Sequence, residues 1–178
     1  MAWSVVIHMS PARESFLPHI LTRQARMPAL HPEHGQKIEM SHIYVAPPDF
    51  HLLVANSHVD VVHGPRENRS RPAIDPLFRS AALNYGPRVI GVILSGALDD
   101  GTAGLQAIKR SGGVAIVQDH AEANYPAMPQ NAIFNNSIDH IVKAAEIAPL
   151  LRALVEEEVR FGFPGSIHGD AARRRFRC

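Results

Sequence analysis

The run Val89-Ile90-Gly91-Val92-Ile93-Leu94-Ser95-Gly96-Ala97-Leu98-Asp99-Asp100-Gly101, with the return Gly112-Gly113-Val114-Ala115-Ile116-Val117, decides the fold. Residues 89–94 are almost wholly apolar. A half-exposed strand would alternate in polarity, so this run suits a parallel strand covered by helices on both faces. Residues 95–101 read as a turn, 102–111 as a helix ended by the glycine pair, and 114–117 as the next buried strand. That is a βαβ unit. The fold class is therefore α/β: a doubly wound, mainly parallel sheet with helices on both faces.

Working outward, Asp75-Pro76 has the cap-then-proline signature of a helix start, and Leu77, Phe78, Ala81, Ala82 and Tyr85 share one face before Gly86-Pro87 stops it. Between 42 and 64, the segments Ile43–Ala46, Leu52–Val54 and Val59–Val62 read as short strands separated by Pro47-Pro48-Asp49 and Asn56-Ser57, a β-hairpin excursion. Near the start, Val5-Val6-Ile7 reads as a strand. Ser10-Pro11 then reads as the cap of a helix over about residues 12–25, although Pro18 falls inside it. Towards the end, Ile138–Val142 is a short strand and Glu146–Val159 an amphipathic helix with Ile147, Leu150, Leu151 and Leu154 on its apolar face.

Composition bounds the function. The 178 residues, 46% hydrophobic and 20% charged, fit one globular domain. A net charge of +1 supplies no field for nucleic acid or a membrane surface. Cys178 is the only cysteine, which excludes an internal disulfide and fits a reducing, cytoplasmic setting. No window approaches the ~18 apolar residues of a spanning helix, so no membrane insertion is expected.

In an open parallel sheet ligands bind beyond the carboxyl ends of the strands. His8 follows the first strand and Asp99-Asp100 follow the buried one, so a histidine and a carboxylate meet at one rim, as a general base meets its orienting partner. Taken alone, a histidine after a strand is more often structural, and an aspartate before glycine more often a cap. Other chemistries are weaker. His31-Pro32-Glu33-His34 has metal-like spacing but lies in a loop with no second pair, so no metal is expected. Asp99-Asp100 could hold Mg²⁺, but no phosphate-cradling loop accompanies them, and they would repel a phosphate at the 101–104 turn. No cofactor is expected. Arg66, Arg69 and Arg71 read equally well as a dock for an acidic helix or as a solvated loop.

Several stretches, in order, resemble the catalytic domain of the chemotaxis methylesterases, the CheB family: Val6-Ile7-His8-Met9, His42 to His51, Pro65 to Phe78, Gly91 to Gly104, and Tyr125-Pro126-Ala127-Met128-Pro129. The resemblance covers roughly Trp3 to Leu154 and implies a serine hydrolase that removes methyl esters from glutamates on chemoreceptor cytoplasmic helices, in some members also deamidating glutamine. By position His8 resembles the catalytic histidine and Asp100 the aspartate that orients it, with Asp99 the less apt of the pair. Ala97 matches a position whose backbone N–H helps hold the oxyanion. A receiver domain or a histidine kinase acting in trans is the further partner implied.

The family pattern opens with a strand and a turn of the type Gly-Ala-Ser-Ala-Gly-Gly that carries the nucleophile, followed by a helix. Here Met1 lies seven residues before His8, and no serine has the Gly-x-Ser-x-Gly setting of a nucleophile elbow. Ser4 falls in a strand, Ser10 in a cap, and Ser95 matches a position that is not the nucleophile. Residues 1–160 therefore read as a CheB-type catalytic domain lacking its first strand, elbow and helix, inactive as written or a non-catalytic remnant that binds receptor. Residues 161–178 read as a disordered basic tail. Loss of an interior strand is expected to lay open Val5–Ile7 and Val89–Leu94 and leave the chain poorly soluble.

Overall fold

The computed structural model describes residues 1–160 and 176–177. In chain order the strands are β1 Ala2–Val5, β2 Ala29–Leu30, β3 Gln36–Lys37, β4 Ile43–Val45, β5 His51–Ala55, β6 His58–Val62, β7 Val89–Ile93, β8 Val114–Gln118, β9 His140–Val142 and β10 Phe176–Arg177. The helices are α1 Leu17–Ala25, α2 Ile74–Tyr85, α3 Thr102–Arg110, α4 Ala127–Asn135 and α5 Ala144–Arg160. The main sheet runs β2-β4-β1-β10-β7-β8-β9, every pairing parallel. A second, antiparallel sheet has the order β3-β6-β5.

The apolar run at β7 is explained by burial on two sides. Val89 and Ile93 join Leu77, Phe78, Leu105 and Ile108 in one core cluster, while Ile90 joins Ile116, Ile147 and Leu151 in another. Strand β8 divides its side chains the same way, Ala115 and Val117 to the first cluster and Ile116 to the second. Helices α2 and α3 thus cover one face and α5 the other, as the doubly wound reading requires.

Several expected boundaries move. The first strand is Ala2–Val5, three residues earlier than the apolar run suggested, so Val6 and Ile7 belong to the loop that carries His8. Helix α1 starts at Leu17 rather than near residue 12, because Pro18 sits in its first turn, where a missing N–H costs nothing. Ser10 closes a local turn instead, its carbonyl accepting from Arg13 N–H. Of the three segments read as an excursion, β5 and β6 form the hairpin through Asn56-Ser57, both at positive φ, whereas β4 lies in the main sheet beside β1. Helix α4 and the two-residue strands β2 and β3 carried no expectation.

The expectation that Val89–Leu94 lies open is corrected: Val89, Ile90 and Ile93 are buried by the helices on either face, and only Leu94, beyond the strand, is exposed. Between β1 and β7 the backbone of Phe176–Arg177 pairs on both sides, with Ala2 and Trp3 on one and Val89 and Ile90 on the other. The rest of the expected basic tail lies outside the described residues. Among the described residues no helix is long and apolar enough to cross a membrane.

Helices α2 and α3 pack closely enough to require glycine at 104. A Cβ there would lie 2.5 Å from Phe78 Cβ and 3.2 Å from Asp75 Cα, atoms fixed to the backbone that cannot swing aside. Gly104→Ala should gain up to ~1 kcal/mol of helix propensity but lose ~1–3 kcal/mol to overpacking. The expected result is a lower urea midpoint at unchanged m-value; a raised midpoint would show that the helices can separate without loss.

Candidate active site

Asp100 lies in the turn between β7 and α3, 1% exposed, and each of its oxygens accepts two hydrogen bonds. Oδ2 accepts from Ile74 N–H at 2.7 Å and contacts His8 Nε2 at 2.6 Å; Oδ1 accepts from Asn68 Nδ2 at 2.8 Å and Asp75 N–H at 3.2 Å. Ile74 and Asp75 open α2, so Asp100 caps a helix remote in sequence. Asp75 does the converse: its Oδ1 accepts from Gly104 N–H of α3 at 2.6 Å. The sequence reading of Asp75 as the cap of its own helix is corrected, since the residue before α2 is Ala73 and no side chain of that strand-to-helix junction caps it.

These surroundings drive the two carboxyls apart. Burial pushes Asp100 up, but His8, Ile74 N–H, Asn68 and Asp75 N–H together hold it below its ordinary value of 3.8. Asp75 is raised, chiefly by burial; the Gly104 and Asn68 bonds oppose that rise and the Asp100 charge adds to it. Asp100 is thus the more acidic of the two. It faces a ring whose other nitrogen, His8 Nδ1, has no partner among the described residues. The His8 side chain is one-third exposed, and it hydrogen-bonds to no hydroxyl among those residues.

Asn68, not singled out in the sequence, ties both carboxylates with one amide nitrogen, to Asp75 Oδ2 and Asp100 Oδ1, each at 2.8 Å. It can do so because Glu67 and Ser70 close a tight turn through reciprocal backbone bonds, with Asn68 and Arg69 both at positive φ. Asparagine tolerates that conformation better than most residues, and this preference within residues 66–71 was the available signal. The loop is anchored by buried His51, whose Nε2–H donates to Pro65 O at 2.8 Å while Nδ1 accepts from Ala73 N–H at 3.2 Å. Arg71 is committed to the same scaffold: Nε and Nη2 donate to Asp49 Oδ1 and Nη1 to Gly64 O. Of the arginine trio only Arg66 and Arg69 remain for docking.

Ala97 is exposed and its N–H makes no hydrogen bond among the described residues, the condition for a backbone donor to an incoming oxyanion. Its loop is held by Ser95, whose N–H donates to Gln118 Oε1 and whose Oγ accepts from Tyr125 N–H, and by Gly96, paired through its backbone with Tyr125 and Met128. Leu98 takes positive φ, strain that places Asp99 outward and Asp100 inward. Ser4 is buried in β1 with no partner for Oγ, and Ser10 is exposed in a turn. His31 Nδ1–H donates to Val45 O, and His34 lies 3.7 Å from Asp60; among the described residues no cluster suited to a metal occurs.

A family model described as CheB methylesterase matches residues 1–151. The chain belongs to the CheB methylesterase family. A relative from Leptospira interrogans (strain Fiocruz L1-130) is 37% identical over 147 residues, 82% of this chain and 76% of its own length. The protein-glutamate methylesterase/protein-glutamine glutaminase 3 of Burkholderia lata is 39% identical over 145 residues, 79% of this chain but only 40% of that relative. The CheB methylesterase catalytic domain of Thermotoga maritima superposes with a TM-score of 0.79 at 31% identity, covering 85% of this chain and 82% of that one. The family fold and the α/β architecture described above are therefore the same.

Because Asp100's value is lowered in the fold, the stability of its ionised form is complete above 3.8 and lost as pH falls through the lower folded value. Asp75, being raised, carries the opposite sign: its contribution is complete below 3.8 and lost as pH rises through the folded value. Asp100→Asn should destabilise at pH 7 by ~1–3 kcal/mol through its broken donor network, with the deficit closing below about pH 4. Asp99→Asn should stay within ~0.5 kcal/mol. Urea unfolding of the three proteins across pH checks this; a deficit that is independent of pH would count against an ionised Asp100.

Proposed function

We propose that His8 and Asp100 are the general base and its orienting carboxylate in a protein-glutamate methylesterase centre acting on glutamate methyl esters of chemoreceptor cytoplasmic helices, with glutamine deamidation as the related reaction. The observation that carries the reading is the 2.6 Å contact of His8 Nε2 with a buried carboxylate that three further N–H donors fix. Membership of the CheB methylesterase family supplies the reaction class.

His8 Nδ1 takes the proton of a serine hydroxyl as its oxygen attacks the ester carbonyl, and Ala97 N–H receives the developing oxyanion. The same imidazolium then protonates the departing methoxide, giving methanol and an acyl-serine. Water, deprotonated by His8, releases the glutamate carboxylate and restores the serine. His8 meets no hydroxyl among the described residues, so this reading requires a serine from outside them. The same observation favours a second reading, a domain that binds receptor without hydrolysing it.

Methanol release from methylated receptor membranes separates the two. The 178-residue polypeptide alone should be slower than a complete family enzyme by about 10⁵-fold or more. A form extended by a strand and a glycine-rich serine turn should regain turnover, and in it His8→Ala and Asp100→Asn should each cost about 10³–10⁴-fold in kcat while Asp99→Asn does not. Full activity in His8→Ala would sink the assignment, and an extended form that binds receptor without turnover would establish the second reading.

A further inference from the structure

Among the described residues, Asn68 is the one side chain besides His8 that hydrogen-bonds to Asp100. The other two donors, Ile74 N–H and Asp75 N–H, belong to the backbone of α2. An amide nitrogen carries two hydrogens, so Asn68 Nδ2 gives one to Asp100 Oδ1 and the other to Asp75 Oδ2, each at 2.8 Å. Serine and threonine have one hydrogen to give, an ionised aspartate has none, and glutamine would set its nitrogen one methylene further out. The backbone selects the same residue, because at φ 49° asparagine is among the few side chains readily accommodated.

The shared amide has two effects. A carboxylate is rigid, so tethering Oδ1 to Asn68 and to Asp75 N–H fixes the plane in which Oδ2 meets His8 Nε2–H, 2.6 Å away. Asp100 is the only hydrogen-bond partner of the ring among the described residues, so the same tether sets the direction of the free Nδ1. The Asn68 donor also favours the ionised form of both acids, against the burial that favours their neutral forms. The charged and titratable groups around this cluster are His8 from the loop after β1, Asp75 in the first turn of α2, Arg79 one turn further along, exposed Asp99, and His51 beneath the loop. None supplies a second donor to Asp100 Oδ1: Arg79 is held by Glu67, and His51 by Pro65 O and Ala73 N–H.

We propose that Asn68 is a positioning residue of the methylesterase reaction, acting through Asp100: its amide, shared between two carboxylates, fixes the one that orients His8. The inference rests on the methylesterase reading for the reaction, and on the Asn68–Asp100–His8 geometry for the role. A merely structural Asn68 would tie the 67–70 turn to α2 through Asp75 and stabilise the fold, with no effect transmitted to the ring.

The test uses Asn68→Gly, which keeps the positive φ without steric cost and removes the donor. Asn68→Asp, of the same shape without the amide hydrogens, is the second variant if glycine loosens the turn. In the 178-residue chain the hydrogen-bonded ring N–H of His8 should give a downfield proton resonance, assigned by its loss in His8→Ala. In the Asn68 variants that resonance should move or broaden away while the circular dichroism stays unchanged. In the form extended by the serine turn, Asn68→Gly should lower kcat about 10–100-fold with KM within about threefold. In an Asp100→Asn background it should cost less than about threefold, because a residue that acts through Asp100 then has nothing to act on. If His8→Ala abolishes turnover and Asn68→Gly does not, this proposal falls and the methylesterase reading stands; full activity in His8→Ala sinks the reading, and the role of Asn68 with it. An equal cost of Asn68→Gly in both backgrounds, or an unmoved His8 N–H resonance, would also overturn the proposal.

Discussion

Two carboxylates each cap a helix that is not their own. Asp100, in the turn before α3, accepts the first N–H groups of α2; Asp75, in the first turn of α2, accepts the Gly104 N–H of α3. The exchange works only if the two helix starts lie side by side, which the close approach at Gly104 permits and a Cβ there would prevent. The orphan N–H groups at a helix start carry partial positive charge, so each helix offers donors to the carboxyl that the other delivers. Two acids are thus buried within one site without a lysine or arginine among the described residues in hydrogen-bond contact with either.

The candidate site inherits its rigidity from that exchange. An orienting carboxylate must hold one position whether or not its histidine is charged, and Asp100 is held by two backbone donors and one side chain besides His8. The Asn68 turn closes the arrangement from a third direction, and His51 and Arg71 fix the loop on which that turn rides. The residues nearest the chemistry are thus supported by parts of the chain that make no contact with His8.

What was legible in the sequence follows from this. Strands β7 and β8 could be read because covering both faces demands apolar residues at every position, a pattern that needs no knowledge of partners. His8 and Asp100 could be placed at one rim because they follow parallel strands. The roles of Asp75 and Asn68 could not be read, since Asp75 serves Gly104 and Asn68 serves Asp100, 29 and 32 residues away, and their local context, Asp-Pro and a polar turn, has a sufficient local meaning. Helix α4 escaped because Pro126 and Pro129 bracket its first turn and its apolar residues do not gather on one face. Strands of two residues, such as β2 and β3, exist only through their neighbours, and no periodicity can mark them.

The division of labour between the neighbouring aspartates has an electrostatic logic. Asp100 faces inward, its carboxylate already met by fixed N–H dipoles; in the proposed reaction it would not need to reorganise as His8 takes a proton, and the attraction between imidazolium and carboxylate would lower the barrier rather than the ground state. Asp99, one residue earlier and turned outward by the positive φ at Leu98, is exposed and has no such donors among the described residues. A carboxylate that is fully hydrogen-bonded can tune a base but cannot recruit a cation, and one left open to solvent can recruit a cation but cannot hold a ring in place. The two adjacent aspartates, with the backbone turned at Leu98 before both, thus meet opposite surroundings within one loop.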